Sequence, residues 1–136
     1  MMKTQKIKRM MCAAFAAMSL ACAGTTAFAE TIPFTVTVGG SGTQDPLSMK
    51  EIKTADGDNN AYFTGSTFNK ATAGIYVRSY KKTDTSLMSN SAYLSSNNIG
   101  MTQVRAYNRT ADGGVYYYMK ATPATSRVTV TGYYCP

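Results

Sequence analysis

Residues 127–134, "RVTVTGYY", decide the fold. Val128 and Val130 alternate with Arg127, Thr129, Thr131 and Tyr133, the two-residue period of a strand that buries one face and wets the other. Valine, threonine and tyrosine also suit a pleated, half-buried surface. The same signature recurs upstream at short spacing, in "IPFTVTVGG" (32–40), "NAYFTG" (60–65), "AGIYVRSY" (73–80), "IGMTQVRAYN" (99–108) and "GVYYYMKA" (114–121). Each run is bounded by Gly, Asn, Asp, Ser or Pro, the residues that break strands and make turns.

Alternation assigns faces as well as strands. Phe34, Val36 and Val38 oppose Thr35 and Thr37; Ile75 and Val77 oppose Tyr76, Arg78 and Tyr80. By the same rule Val104 and Ala106 are expected in the core, with Arg105 and Tyr107 facing out. The segment 86–94 adds a weaker strand signal near Ala92 and Leu94. Residues 43–60 read as the longest irregular stretch, broken by Asp45-Pro46 and Asp56-Gly57, with one short helical turn around Leu47 to Ile52. Ala111-Asp-Gly-Gly114 reads as a hairpin connection. The expected fold is all-β, a small antiparallel β-sandwich of six or seven strands, preceded by a helical N-terminal signal peptide.

The first 29 residues carry that signal. Lys3, Lys6, Lys8 and Arg9 make a basic start, an alanine-rich apolar stretch follows from Met10 to Ala23, and Ala27-Phe28-Ala29 supplies the small-residue exit. The apolar stretch is shorter than the ~20 residues a membrane span requires. Cleavage between Ala29 and Glu30 is therefore expected, leaving residues 30–136 as a single secreted domain with no membrane span. Ser19-Leu-Ala-Cys22 resembles a lipobox, but Leu20 stands two places before the cysteine instead of three, so anchoring through an acylated Cys22 is the weaker expectation.

Export changes the charge and the cysteine count. The chain carries 14 Lys and Arg against seven Asp and Glu, a net of +7, but four of the cations leave with the signal peptide and no acid does, so the exported part keeps +3. Nothing longer than Lys81-Lys82 clusters that surplus, which argues against nucleic acid as a partner. Cys12 and Cys22 leave as well. Cys135 is then the one thiol of the exported part, and its expected role is an intermolecular disulfide that makes a homodimer.

Catalytic constellations are sparse. The chain has no histidine, which removes Ser-His-Asp and Cys-His nucleophile systems and most protein zinc sites. The acids lie in loops or at an end, without a marked pair for acid–base hydrolysis. The reading is of a protein that is not an enzyme and needs no cofactor. One metal pattern stands out: Asp56, Asp58 and Asn60 have the one, three, five spacing of a calcium loop. Ala61 stands where that loop needs glycine and Thr67 where it needs a closing glutamate, so an Asx-rich turn entering the next strand is preferred.

Tyrosine is the remaining resource, ten residues of the chain, with no tryptophan. Tyr76, Arg78, Tyr80, Arg105, Tyr107, Tyr116, Tyr118 and Tyr133, with Lys120 and Arg127 among them, are expected on the polar side of one sheet. Rings with hydroxyl and guanidinium neighbours suit a cell-surface, glycan or protein ligand. Cross-strand tyrosine pairs also stabilise sheets without any ligand.

The run "GVYYYMKATPATSRVTVTGYYCP", with "NNAYFTG" and "IYVRSYKKT", resembles small uncharacterised secreted β-rich proteins of Gram-positive bacteria (Firmicutes). In those an aliphatic–polar strand often closes on a glycine, an aromatic and a proline, which Val128, Val130, Gly132, Tyr134 and Pro136 match. The resemblance implies a signal peptide and about one hundred β-rich residues, and it transfers no catalytic residue. The expected function is non-enzymatic binding at the cell surface or in the medium; the alternative is a bacteriocin-like antimicrobial protein.

Overall fold

The computed structural model describes residues 31–39, 47–124 and 126–136. The signal peptide, the Ala29–Glu30 cleavage point, Cys12, Cys22 and Asp45-Pro46 lie outside the described residues. Nine strands follow in chain order: β1 (Ile32–Val38), β2 (Leu47–Ile52), β3 (Asn60–Phe68), β4 (Ile75–Lys81), β5 (Asp84–Met88), β6 (Ala92–Leu94), β7 (Gln103–Ala106), β8 (Tyr116–Pro123) and β9 (Val128–Cys135). A single 3₁₀ turn at Ser96–Asn98 is capped by Ser95, whose side chain accepts from the Asn97 amide. All pairings are antiparallel, as the alternating runs require.

One sheet has the order β1-β9-β3-β7, and the other β2-β8-β4-β5 with β6 also paired to β4. β6 lies beside Ile75–Val77 and β5 beside Tyr80–Lys81, so the two short strands share one edge of β4. β9 sits between β1 and β3, with Val36 opposite Val130 and Val38 opposite Val128. The two inner faces enclose the core. Phe34, Val36, Val38, Phe63, Val128 and Val130 from the first sheet meet Ile75, Val77, Tyr117, Met119 and Ala121 from the second. Burial of each large apolar side chain stabilises the fold by about 1.5–3 kcal/mol.

Close approach on β9 depends on a glycine. A Cβ on Gly132 would stand 2.1 Å from the Thr64 carbonyl oxygen and 2.7 Å from the Phe34 ring, so hydrogen there lets Phe34 fold across the strand.

A polar knot also lies inside. Ser79 Oγ is 2.7 Å from the Tyr107 hydroxyl and 2.5 Å from that of Tyr134, tying β4 to both ends of the opposite sheet. The Ser79 amide donates to Ser89 Oγ, and the Ser89 amide returns a bond to the Ser79 carbonyl. Ser89 pairs in turn with Tyr107, so the two sheets are stitched at this corner by an isolated bridge. Buried hydroxyls are tolerated here because each finds a partner.

Three sequence expectations are corrected. Leu47–Ile52 is a strand on the free edge of β8 with a bulge between Leu47 and Lys50, not a helical turn. The pairing available along β8 outweighs the weak local preference of those residues. Residues 111–114 do not form a hairpin, because β7 and β8 belong to different sheets; the segment crosses between them, and Gly114 and Val115 instead pair with Lys53. β7 presents the opposite face from that expected: Val104 is 44 % exposed and Tyr107, just beyond the strand, only 5 %. Burial of one tyrosine in contact with Tyr117 (ring centroids 5.2 Å apart) and in the Ser79 knot exceeds what Val104 and Ala106 would gain.

Candidate functional site

β4 and β8 are the central strands of the second sheet, and their outward residues alternate with the core ones. Tyr76, Arg78 and Tyr80 face out from β4 between buried Ile75, Val77 and Ser79; Tyr116, Tyr118 and Lys120 face out from β8 between buried Tyr117, Met119 and Ala121. Register then brings them together. Tyr80 stands opposite Tyr118, Arg78 opposite Lys120 and Tyr76 opposite Thr122.

The tyrosines pair across strands. The Tyr80 and Tyr118 rings stack, centroids 5.6 Å apart and planes at 18°, while Tyr76 and Tyr93 tilt against each other at 5.2 Å. Between the two pairs lies a shallow cleft of about 80 Å³ lined by Tyr76, Arg78, Tyr80, Ser91, Lys120 and Thr122. The Arg78 guanidinium donates to Met88 Sδ at 3.3 Å.

Five of the eight tyrosines and arginines expected on one surface are on this face: Tyr76, Arg78, Tyr80, Tyr116 and Tyr118. The other three are elsewhere. Tyr107 is a core residue, and burial holds its hydroxyl far above the usual tyrosine range against the bond to Ser79. Tyr133 belongs to β9, opposite Thr64 in the first sheet. Arg105 on β7 reaches between the sheets, donating from Nε to the Ser91 carbonyl at 2.9 Å and from its other nitrogens to Val104 and Gln103. It thereby fixes Ser91, one wall of the cleft, from behind. Arg127 is exposed in the turn before β9.

Sequence reading missed Tyr93. It lies in a serine-rich segment with little strand signal, yet β6 places it opposite Tyr76. The ring covers Gly74, where a Cβ would come within 2.7 Å of it. A glycine shortly before a strand, facing an aromatic on the neighbouring strand, was the available clue.

Asp56, Asp58 and Asn60 form nested Asx turns. Asp56 Oδ1 accepts from the Asp58 amide, Asp58 Oδ1 from the Asn60 amide and side chain, and Asp58 Oδ2 from the Tyr62 hydroxyl at 2.6 Å. Bound calcium would have to compete with these donors for the same oxygens. Among the described residues no three His, Cys, Asp or Glu gather in a metal-binding group.

Lys53 is the internal cation of the fold, 2 % exposed. Its Nζ donates to the Asn60 carbonyl at 3.0 Å and lies 5.1 Å from the centre of the Tyr107 ring. Burial pulls its pKa down, and Asp58 and Asp56 partly restore it. Cys135, at 3 % exposure, has its Sγ 4.0 Å from the Pro136 carbonyl oxygen. A disulfide to a second copy would require that end of β9 to open first. Among the described residues no helix is long and apolar enough to cross a membrane.

In comparisons with known proteins, the chain matches no family model, no curated protein and no solved structure.

Proposed function

We propose that this chain is a small secreted, non-enzymatic binding protein that engages a cell-surface, glycan or protein ligand through the outer face of β4, β6 and β8. The observation that carries the reading is the clustering of two tyrosine pairs, Tyr76–Tyr93 and Tyr80–Tyr118, around a cleft on the most rigid strands of that sheet. Rings fixed by cross-strand neighbours offer flat contact area at little entropic cost on binding. Export and cleavage before Glu30 complete the proposal, and the N-terminal mass of the mature protein checks them.

The face is tested by retention on peptidoglycan, mucin glycans and whole cells. Tyr76→Ala with Tyr118→Ala is expected to abolish retention while moving the unfolding midpoint little, since an exposed cross-strand pair contributes only about 0.2–1 kcal/mol. Retention that survives both substitutions sinks the proposal.

A further inference from the structure

Arg78 and Lys120 stand directly opposite each other on adjacent central strands. Like charges so placed destabilise a sheet, which gives their position a cost that a structural role leaves unexplained. Two other cations of the fold have acids: Lys81 is bonded to Asp112 and Arg109 to Asp84. No acid lines the cleft that Arg78 and Lys120 share. Arg78 donates instead to a thioether, a weak acceptor, although a guanidinium fork is shaped for a two-oxygen anion.

From these observations we infer that the cleft between β4 and β8 receives a single anionic group, a carboxylate, sulfate or phosphate, borne on a polysaccharide whose neighbouring sugar rings lie on the tyrosine pairs to either side. The inference rests on the binding face proposed above and names its ligand class. Size decides against a whole small molecule. The cleft holds about 80 Å³, whereas pockets for drug-sized ligands occupy roughly 300–1,000 Å³, so only a charged substituent enters. The rest of the ligand must lie across exposed surface, where Tyr76 and Tyr93 flank one end and Tyr118 and Tyr80 the other. Hydroxyls of Ser91 and Thr122 line the cleft as neutral donors and acceptors for the oxygens that the cations leave.

Retention of the full mature chain is measured on a sulfated polysaccharide, a polyuronate, a phosphate-bearing polysaccharide and neutral dextran, with single-stranded DNA in a parallel arm. At least one anionic polysaccharide is expected to bind in a salt-sensitive way, and Arg78→Gln and Lys120→Gln are each expected to weaken it by about tenfold or more, the loss of one charge-assisted contact. Lys70→Gln, an exposed cation outside the cleft, is expected to change nothing. The variants stay folded, because each relieves the charge opposition, and the unliganded unfolding midpoint verifies this; added polyanion raises the midpoint of the parent and not of the variants. Which polymer binds distinguishes carboxylate from sulfate and phosphate. Equal losses with Lys70→Gln, preference for DNA, or no retention on any anionic polysaccharide overturns the inference. Dextran binding that is lost with Tyr76→Ala but kept with Arg78→Gln overturns it too, while leaving the binding face standing. If retention on whole cells is unaffected by both tyrosine substitutions, the binding face itself falls.

Discussion

Gly132 shows how much one hydrogen atom decides. β9 must pass Phe34 on one side and the Thr64 carbonyl on the other, and any Cβ would stand 2.1 Å from that oxygen. Backbone cannot give way as a flexible side chain can. Gly132→Ala is therefore expected to cost at least the 1–3 kcal/mol typical of overpacking, about, read as a lowered thermal or urea midpoint. An unchanged midpoint contradicts the packing described. The sequence hinted at this residue only as the break after "VTVT"; the reason for the break is the neighbour that folds over it. Tyr107 makes the complementary point. Its side chain lies in a run where Val104 and Ala106 look like the buried pair, yet the Ser79 and Tyr117 contacts that draw it inward come from strands far away in sequence.

At the scale of elements, β6 is the case where local patterning is weakest and consequence greatest. Three residues, Ala92–Leu94, pair with Ile75–Val77 and set Tyr93 over Gly74 and beside Tyr76. Gly74→Ala would press a methyl into the Tyr93 ring, which is exposed and able to swing away. The expected result is a small stability change, about 1 kcal/mol or less, with loss of the Tyr76–Tyr93 contact. Aromatic proton shifts of the two rings check this: unchanged ring-current shifts contradict the geometry. β2 carries the other lesson. Its residues read as irregular because their strand character comes from the edge of β8 that they meet and not from their own sequence.

For the whole molecule, the inner tyrosines couple folding to pH. Burial pushes Tyr117 up to about 12 and raises Tyr107 and Tyr134 further, against an ordinary value of 10.0. The unfolded chain then releases protons that the folded one retains. Stability from this source is intact below pH 10 and is lost as pH rises from there through the folded values, by about 1.4 kcal/mol per pH unit for each tyrosine so held. Lys53 acts in the opposite sense, its lowered pKa favouring the fold as pH rises, but that gain is complete once unfolded lysine deprotonates near 10.5. Against a total stability of roughly 5–15 kcal/mol, the tyrosines are expected to drive cooperative unfolding a few units above neutral tyrosine titration begins to matter, with both sheets lost together because Ser79 and Ser89 join them. Alkaline titration followed by tyrosinate absorbance and near-ultraviolet circular dichroism checks it. A gradual rise in absorbance around pH 10 by all the tyrosines, without a later cooperative step, contradicts it.

The amino-acid sequence by itself determined that this protein is all-β, where most strands run, and which residues of β1, β4, β8 and β9 face inward, because a two-residue period is a local property that each strand carries alone. It also placed Tyr76, Arg78, Tyr80, Tyr116 and Tyr118 on one side of their strands. Only the tertiary structure decided that β4 and β8 are neighbours, that Arg78 meets Lys120, that Tyr93 joins the face and that Tyr107 leaves it. Those outcomes depend on register between segments some forty residues apart, 78 and 120, and on competition for a shared core, neither of which any single stretch of sequence contains.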